Sequence, residues 1–232
     1  MSRATELRRP ATGRQVGQQI VRLVLAAVLI WLVFVGIGWL LSHRLQHSGL
    51  VRWDGSVDRW LAHRRHAGWN TVTHLATFGA ETITVIAIGL VAFGLLRWRL
   101  GRWTEPIFLA VSVIGEVCIF VSTTLLVDRH RPSVPRLDSA PPTSSFPSGH
   151  TAASVALYGS LAVIAWHAAR AGWLRTVATV LAVLMPLAVA GSRLYRGMHY
   201  PTDVLAGALL SICWLTVTSR LLLPSRPSRT AR

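Results

Sequence analysis

The sequence predicts an all-α bundle of six transmembrane helices with a polar site on one rim, and three observations carry that expectation. Of its 232 residues, 52% are hydrophobic and only 14% charged, with a positive mean hydropathy, against roughly 25% charged residues in a soluble domain. Six apolar runs of about 16–23 residues recur along the chain, lengths suited to a hydrocarbon core ~30 Å thick at about 1.5 Å per residue. Polar residues with the chemistry of phosphate recognition stand where these runs begin or end.

Residues 1–18 are a basic, polar segment expected on the cytoplasmic side. The first run, residues 19–41, is longer than the apolar core of a cleaved signal peptide and shows no small-residue cleavage site, so it reads as an uncleaved first span. Further spans are expected at 81–96, 106–127, 151–169, 174–191 and 203–223. Residues 19–223 then form the membrane domain, and 224–232 form a basic cytoplasmic tail. An even number of crossings puts both termini on one side, together with the loops carrying Arg97, Arg99 and Arg102 and then Arg170 and Arg175. The positive-inside bias makes that side cytoplasmic and the opposite rim extracytoplasmic.

Residues 54–78 are too polar to span. Val57, Trp60, Leu61, Trp69, Val72 and Leu75 recur there at mostly helical spacing around Arg59, Arg64 and Arg65, the pattern of an interfacial amphipathic helix. Residues 133–145, rich in proline and serine, read as a loop.

All 24 positive side chains are arginine, against nine acids, for a formal charge of +15. These arginines flank apolar runs and do not form a continuous basic face between aromatics, so no nucleic-acid partner is expected. Cys118 and Cys213 fall inside apolar runs without the spacing of a disulfide framework or metal site. Both are expected as buried packing residues.

Three motif pieces carry the chemistry: Arg131-Pro132, then Pro147-Ser148-Gly149-His150, then Ser192, Arg193, His199 and Asp203 in the spacing S-R-x5-H-x3-D. Cleaving a phosphate ester requires positive charge on the equatorial oxygens, an in-line nucleophile and a proton for the leaving oxygen. Arg131 and Arg193 offer fork-shaped donors to two oxygens at once. Ser148 and Gly149 directly precede a span, so the Ser148 hydroxyl and nearby backbone N–H groups would face an anion at a helix N-terminus. The cradle this makes needs neither metal nor other cofactor.

His199 lies just before Pro201, a residue favoured in a first helical turn, which places Asp203 in that turn beside it. Asp203 is expected to bond one ring nitrogen, fix the tautomer and leave the other nitrogen to attack phosphorus. His150 is expected to protonate the departing alkoxide and then activate water. His43, His47, His63 and His66 read as solvated or packing residues, and His74 and His130 fit no defined role. Gly197 reads as part of a turn.

On these residues the chain resembles the type 2 phosphatidic acid phosphatase (PAP2) family of membrane lipid phosphate phosphatases, whose site is shared by bacterial class A acid phosphatases and vanadium haloperoxidases. The motifs fall within residues 124–203, and the six-span layout covers the whole chain. The resemblance implies a hydrolase with a phosphohistidine at His199, His150 as acid and Asp203 orienting His199. It implies that Arg131, Ser148, Gly149 and Arg193 hold the phosphate of a substrate whose tail stays in the bilayer. Phosphatidic acid, diacylglycerol pyrophosphate, phosphatidylglycerol phosphate and polyprenyl diphosphates such as undecaprenyl diphosphate are the substrates the family suggests. Passing the same phosphoryl group to an alcohol would make a lipid phosphotransferase. A third alternative, a lipid-phosphate-binding protein of low turnover, has no need of a nucleophile and an acid.

One departure stands out. The family's first motif is K-x6-R-P, and Thr124 occupies the lysine position in a chain without lysine. Arg129 is the candidate substitute, provided that a helical or turned backbone brings it round to the phosphate. Glu116 lies eight residues before Thr124, on roughly the same helix face and about 12 Å deeper. An ionisable group there faces protein or water, either as a packing residue or as part of a cavity beneath the site.

Overall fold

A computed structural model of the chain describes residues 13–140 and 142–223, and every regular element among them is helical. The order is α1 (Gly13–Trp39), continued by a π turn (Leu40–Arg44), then α2 (Gly49–His63), α3 (Ala67–Phe78), α4 (Thr82–Leu100), α5 (Thr104–Leu126), α6 (Gly149–Ala168), α7 (Gly172–Tyr195) and α8 (Pro201–Leu222). Six of these, α1 with its π turn and α4 to α8, are long and apolar enough to cross a membrane. The chain is an integral membrane protein with an all-α, six-span core.

The helix ends fall close to the expected edges, with differences that matter for the site. Helix α1 begins at Gly13, inside the segment expected to precede it, while residues 1–12 and the tail 224–232 lie outside the described residues. Helix α6 starts at Gly149, α7 runs on to Tyr195 and α8 starts at Pro201. His150, Arg193 and Asp203 are therefore held on terminal helical turns, and the described residues of the connection 127–148 carry no helix.

Helix α6 is the axis of the bundle. Half of its apolar window is buried, against 6% for α1 and α4, and it packs against α5, α7 and α8. Its buried face carries Ala152, Ser154, Ala156 and Ser160, small residues that let neighbouring helix backbones approach. Helix α1 covers α5 and α8, α4 covers α5, and α3 lies on α7. Phe34, Ile119, Leu210 and Trp214 fill the space between α1, α5 and α8. Phe108, Leu109, Leu157 and Tyr158 fill that between α5 and α6.

Both ends of the membrane domain share one side, since Gln19 Nε2 of α1 donates to the Leu221 carbonyl of α8 at 3.3 Å. On the opposite side, Arg129 reaches Asp203, and the Leu137 N–H donates to the Arg196 carbonyl at 3.1 Å. All three motif pieces meet on that rim. The chain turns back after α7 through Gly197, whose φ of 71° lies in the left-handed region that glycine adopts without a Cβ clash.

Two expectations are corrected. Residues 54–78 lie in two helices, broken at residues 64–66, where Arg65 Nε donates to the Tyr195 carbonyl at 2.9 Å and the His66 N–H donates to the Tyr195 hydroxyl at 3.0 Å. Their polarity is inside out relative to a soluble helix: Trp60, Trp69, Val72 and Leu75 are exposed, while Asp54, Asp58, Thr73 and Thr77 are buried. Cys118 and Cys213 are exposed, and Cys118 stands in the wall of the cavity described below, because hydropathy marks a span without saying which of its faces is packed.

Candidate active site

A cavity of about 600 Å³ opens on the motif-bearing rim and is lined there by Arg131, Gly149, His150, Arg193 and His199. Gly149 opens α6, so the N–H groups of its first turn have no partner within the helix. A Cβ at Gly149 would collide with the Phe120 ring of α5, so glycine is what allows this approach.

His199 is 5% exposed, and its Nδ1 lies 2.7 Å from the Ser145 carbonyl oxygen. A carbonyl only accepts, so Nδ1 carries the proton and Nε2 is the nitrogen left with a lone pair. Burial, followed by the positive charges of Arg193 and Arg131, holds His199 well below the ordinary histidine range. Both effects favour the neutral imidazole.

Asp203 does not make the bond expected of it. Its Oδ2 lies 3.9 Å from His199 Nδ1 and instead accepts the Tyr200 N–H at 2.9 Å, while Oδ1 pairs with Arg129. The carbonyl of Ser145 takes the position that the sequence reading gave to Asp203. No spacing in the sequence points to a backbone acceptor from that distant loop.

Arg131 Nη1 donates to the Met198 carbonyl at 2.9 Å, and Arg193 Nη1 donates to Asp138 Oδ2 at 2.9 Å. The Nε of each is buried without a hydrogen-bond partner among the described residues. Asp138 also accepts from Arg196, through Nε at 2.7 Å and Nη2 at 2.5 Å. Burial opposes its ionisation, but the hydrogen bonds and charges of Arg196 and Arg193 outweigh that and hold its carboxyl below the usual range. Asp138 thus locks Arg193 in place, and it was missed because a lone aspartate in a loop carries no motif.

Three further residues stand away from the cavity wall. The Ser148 hydroxyl is buried 3.0 Å from the Thr151 hydroxyl, so it faces the first turn of α6. Thr124 is buried, its hydroxyl 3.3 Å from the Ser144 carbonyl. Arg129 points away from Arg131 into a buried cluster: Nη2 contacts Asp54 at 2.7 Å, and Nη1 contacts Thr202 at 2.7 Å as well as Asp203. Asp54 accepts the Thr202 N–H at 3.1 Å, which ties α2 to the first turn of α8. Arg129 accordingly stands as a structural cation and not as a replacement for the absent lysine. Among the described residues no group of three His, Cys, Asp or Glu side chains is placed to hold a metal ion.

Fold and site together define a membrane-embedded helical bundle with a histidine and arginine cavity at its rim. The sequence profile of the PAP2 superfamily matches residues 105–226, and the chain belongs to that superfamily. It is 28% identical over 145 residues to an undecaprenyl-diphosphatase of Sulfolobus acidocaldarius, covering 62% of this chain and 66% of that protein. It is 29% identical over 131 residues to the bacitracin transport permease protein BcrC of Bacillus licheniformis, covering 55% of this chain and 60% of that one. The match thus spans less than two thirds of either curated relative. The fold is similar to that of the transmembrane PAP2 type phosphatidylglycerolphosphate phosphatase from Bacillus subtilis, with a TM-score of 0.71 over 84% of this chain and 94% of that one at 18% identity.

Proposed function

We propose that this protein hydrolyses a lipid phosphate or diphosphate at the extracytoplasmic face of a bacterial cytoplasmic membrane, through a phosphohistidine on His199. The observation that carries this reading is the convergence of His199, His150, Arg131 and Arg193 on one cavity. The relatives' names, an undecaprenyl-diphosphatase and a phosphatidylglycerolphosphate phosphatase, point to the same class of substrate.

The substrate's phosphate sits against Arg131, Arg193 and the N-terminal turn of α6. Nε2 of neutral His199 attacks phosphorus as the bond from phosphorus to the lipid oxygen breaks. Protonated His150 gives its proton to that oxygen, and the alcohol, or the monophosphate of a diphosphate substrate, leaves. The phosphorylated imidazole keeps its Nδ1 proton on the Ser145 carbonyl, with the Asp203 carboxylate nearby to stabilise its positive charge. Neutral His150 then takes a proton from water, the resulting hydroxide attacks phosphorus and the P–N bond breaks. Inorganic phosphate leaves and His199 is restored.

The test is phosphate release by the purified full chain in detergent with a chelator present, using phosphatidic acid, phosphatidylglycerol phosphate and a polyprenyl diphosphate. Release from at least one lipid is expected, with a loss of at least roughly a thousandfold in His199→Ala, as for a removed nucleophile. Release that vanishes with chelation and returns with a divalent metal, or no release from any lipid, would contradict the reading.

A further inference from the structure

Beneath the histidines the cavity continues into the membrane core between Val85 and Ile86 of α4 and Val113, Val117 and Val121 of α5. In this apolar wall stands Glu116, 0% exposed, and neither carboxyl oxygen has a hydrogen-bond partner among the described residues. The other glutamate of α5 shows the contrast: Glu105, equally buried, is paired with Arg102 and lies 3.8 Å from His167. A buried, unpartnered polar group at a cavity wall costs free energy that a ligand group can return.

Its depth restricts what that ligand group can be. Phe120 abuts Gly149 at the phosphate-binding end, and Glu116 lies one helical turn, about 6 Å, below Phe120. Side chains on α5 lean towards its N-terminus, which is the deeper end. In a diacylglycerol phosphate the ester carbonyl oxygens lie about 6 Å from phosphorus at ordinary bond lengths, at the corresponding depth. A carboxylic acid in apolar surroundings can donate to such an acceptor. A polyprenyl chain offers only hydrocarbon there.

We propose that Glu116 is a specificity-determining residue that donates a hydrogen bond to an ester carbonyl of a glycerolipid phosphate, so that the site favours ester-linked glycerolipids over polyprenyl diphosphates. The proposal rests on the phosphatase reading above. It makes the lower cavity a reader of the lipid backbone, separate from the arginines that read phosphate.

The experiment compares kcat/KM of the purified full chain on a diester phosphatidic acid, its dialkyl ether analogue of equal chain length and a polyprenyl diphosphate. The wild type is expected to favour ester over ether by roughly tenfold to a hundredfold, the range of one buried hydrogen bond. Glu116→Leu is expected to collapse that ratio towards one, chiefly through KM for the ester. Glu116→Gln, which keeps a donor, should retain most of it. Equal wild-type turnover of ester and ether lipids, or a Leu variant that lowers all three substrates by the same factor, would overturn this proposal alone. Release from none of them would overturn the phosphatase reading as well.

Discussion

Arg129 and Arg131 stand two residues apart and face opposite ways. Arg131 lines the cavity, whereas Arg129 enters a largely buried cluster with Asp54, Asp203 and Thr202 and lies over the Tyr200 ring at 4.6 Å. Residues two apart on an extended backbone share a face, so the connection turns between these two and carries Arg129 away from the cavity. The two carboxylates that receive it were not legible in the sequence, because they come from α2 and α8. Removing one partner of a buried charge set leaves the others uncompensated, at a cost of about 3–5 kcal/mol. Arg129→Gln is therefore expected to lower thermal stability in detergent markedly, and Arg129→Gln combined with Asp54→Asn should lose less than the sum of the two single changes. An unchanged melting temperature with a raised KM would instead make Arg129 a substrate ligand.

Among the elements, α2 is the one whose buried partners the sequence hid. Its apolar stripe faces outward, as in an interfacial amphipathic helix, but the buried stripe holds Asp54 and Asp58, one turn apart. Asp54 is satisfied by Arg129 and Thr202, whereas both oxygens of Asp58 are buried without a hydrogen-bond partner among the described residues. Burial, then the charges of Asp54 and Asp203, push the Asp58 carboxyl up from 3.8 to about 8. The folded state thus holds a proton that the unfolded chain releases between these values. Stability from this group is full below pH 3.8, falls as pH rises towards 8, and is flat above. Asp58→Asn is expected to flatten that part of the pH profile of thermal unfolding and to raise stability near neutrality. A profile of unchanged slope in this variant would show that Asp58 does not govern it.

At the scale of the whole molecule, the six spans were legible because length and hydropathy alone determine them, and their edges moved by only a few residues. The motif residues that line the cavity, Arg131, Gly149, His150, Arg193 and His199, were legible because their spacing ties them to helix ends. Ser145, Asp138 and Asp54 were not, since each acts through a contact between chain segments far apart in sequence. The exposure of Cys118 and Cys213 was missed for a related reason: which face of a span is packed depends on its neighbours. The central claim is that His199 becomes the phosphoryl carrier, and rapid quenching of the full chain with lipid carrying a labelled phosphate, followed by peptide mapping in alkali, tests it most directly. Label is expected on His199, stable to base and labile to acid, and absent from His199→Ala. Label on another residue, or wild-type turnover in His199→Ala, would contradict it.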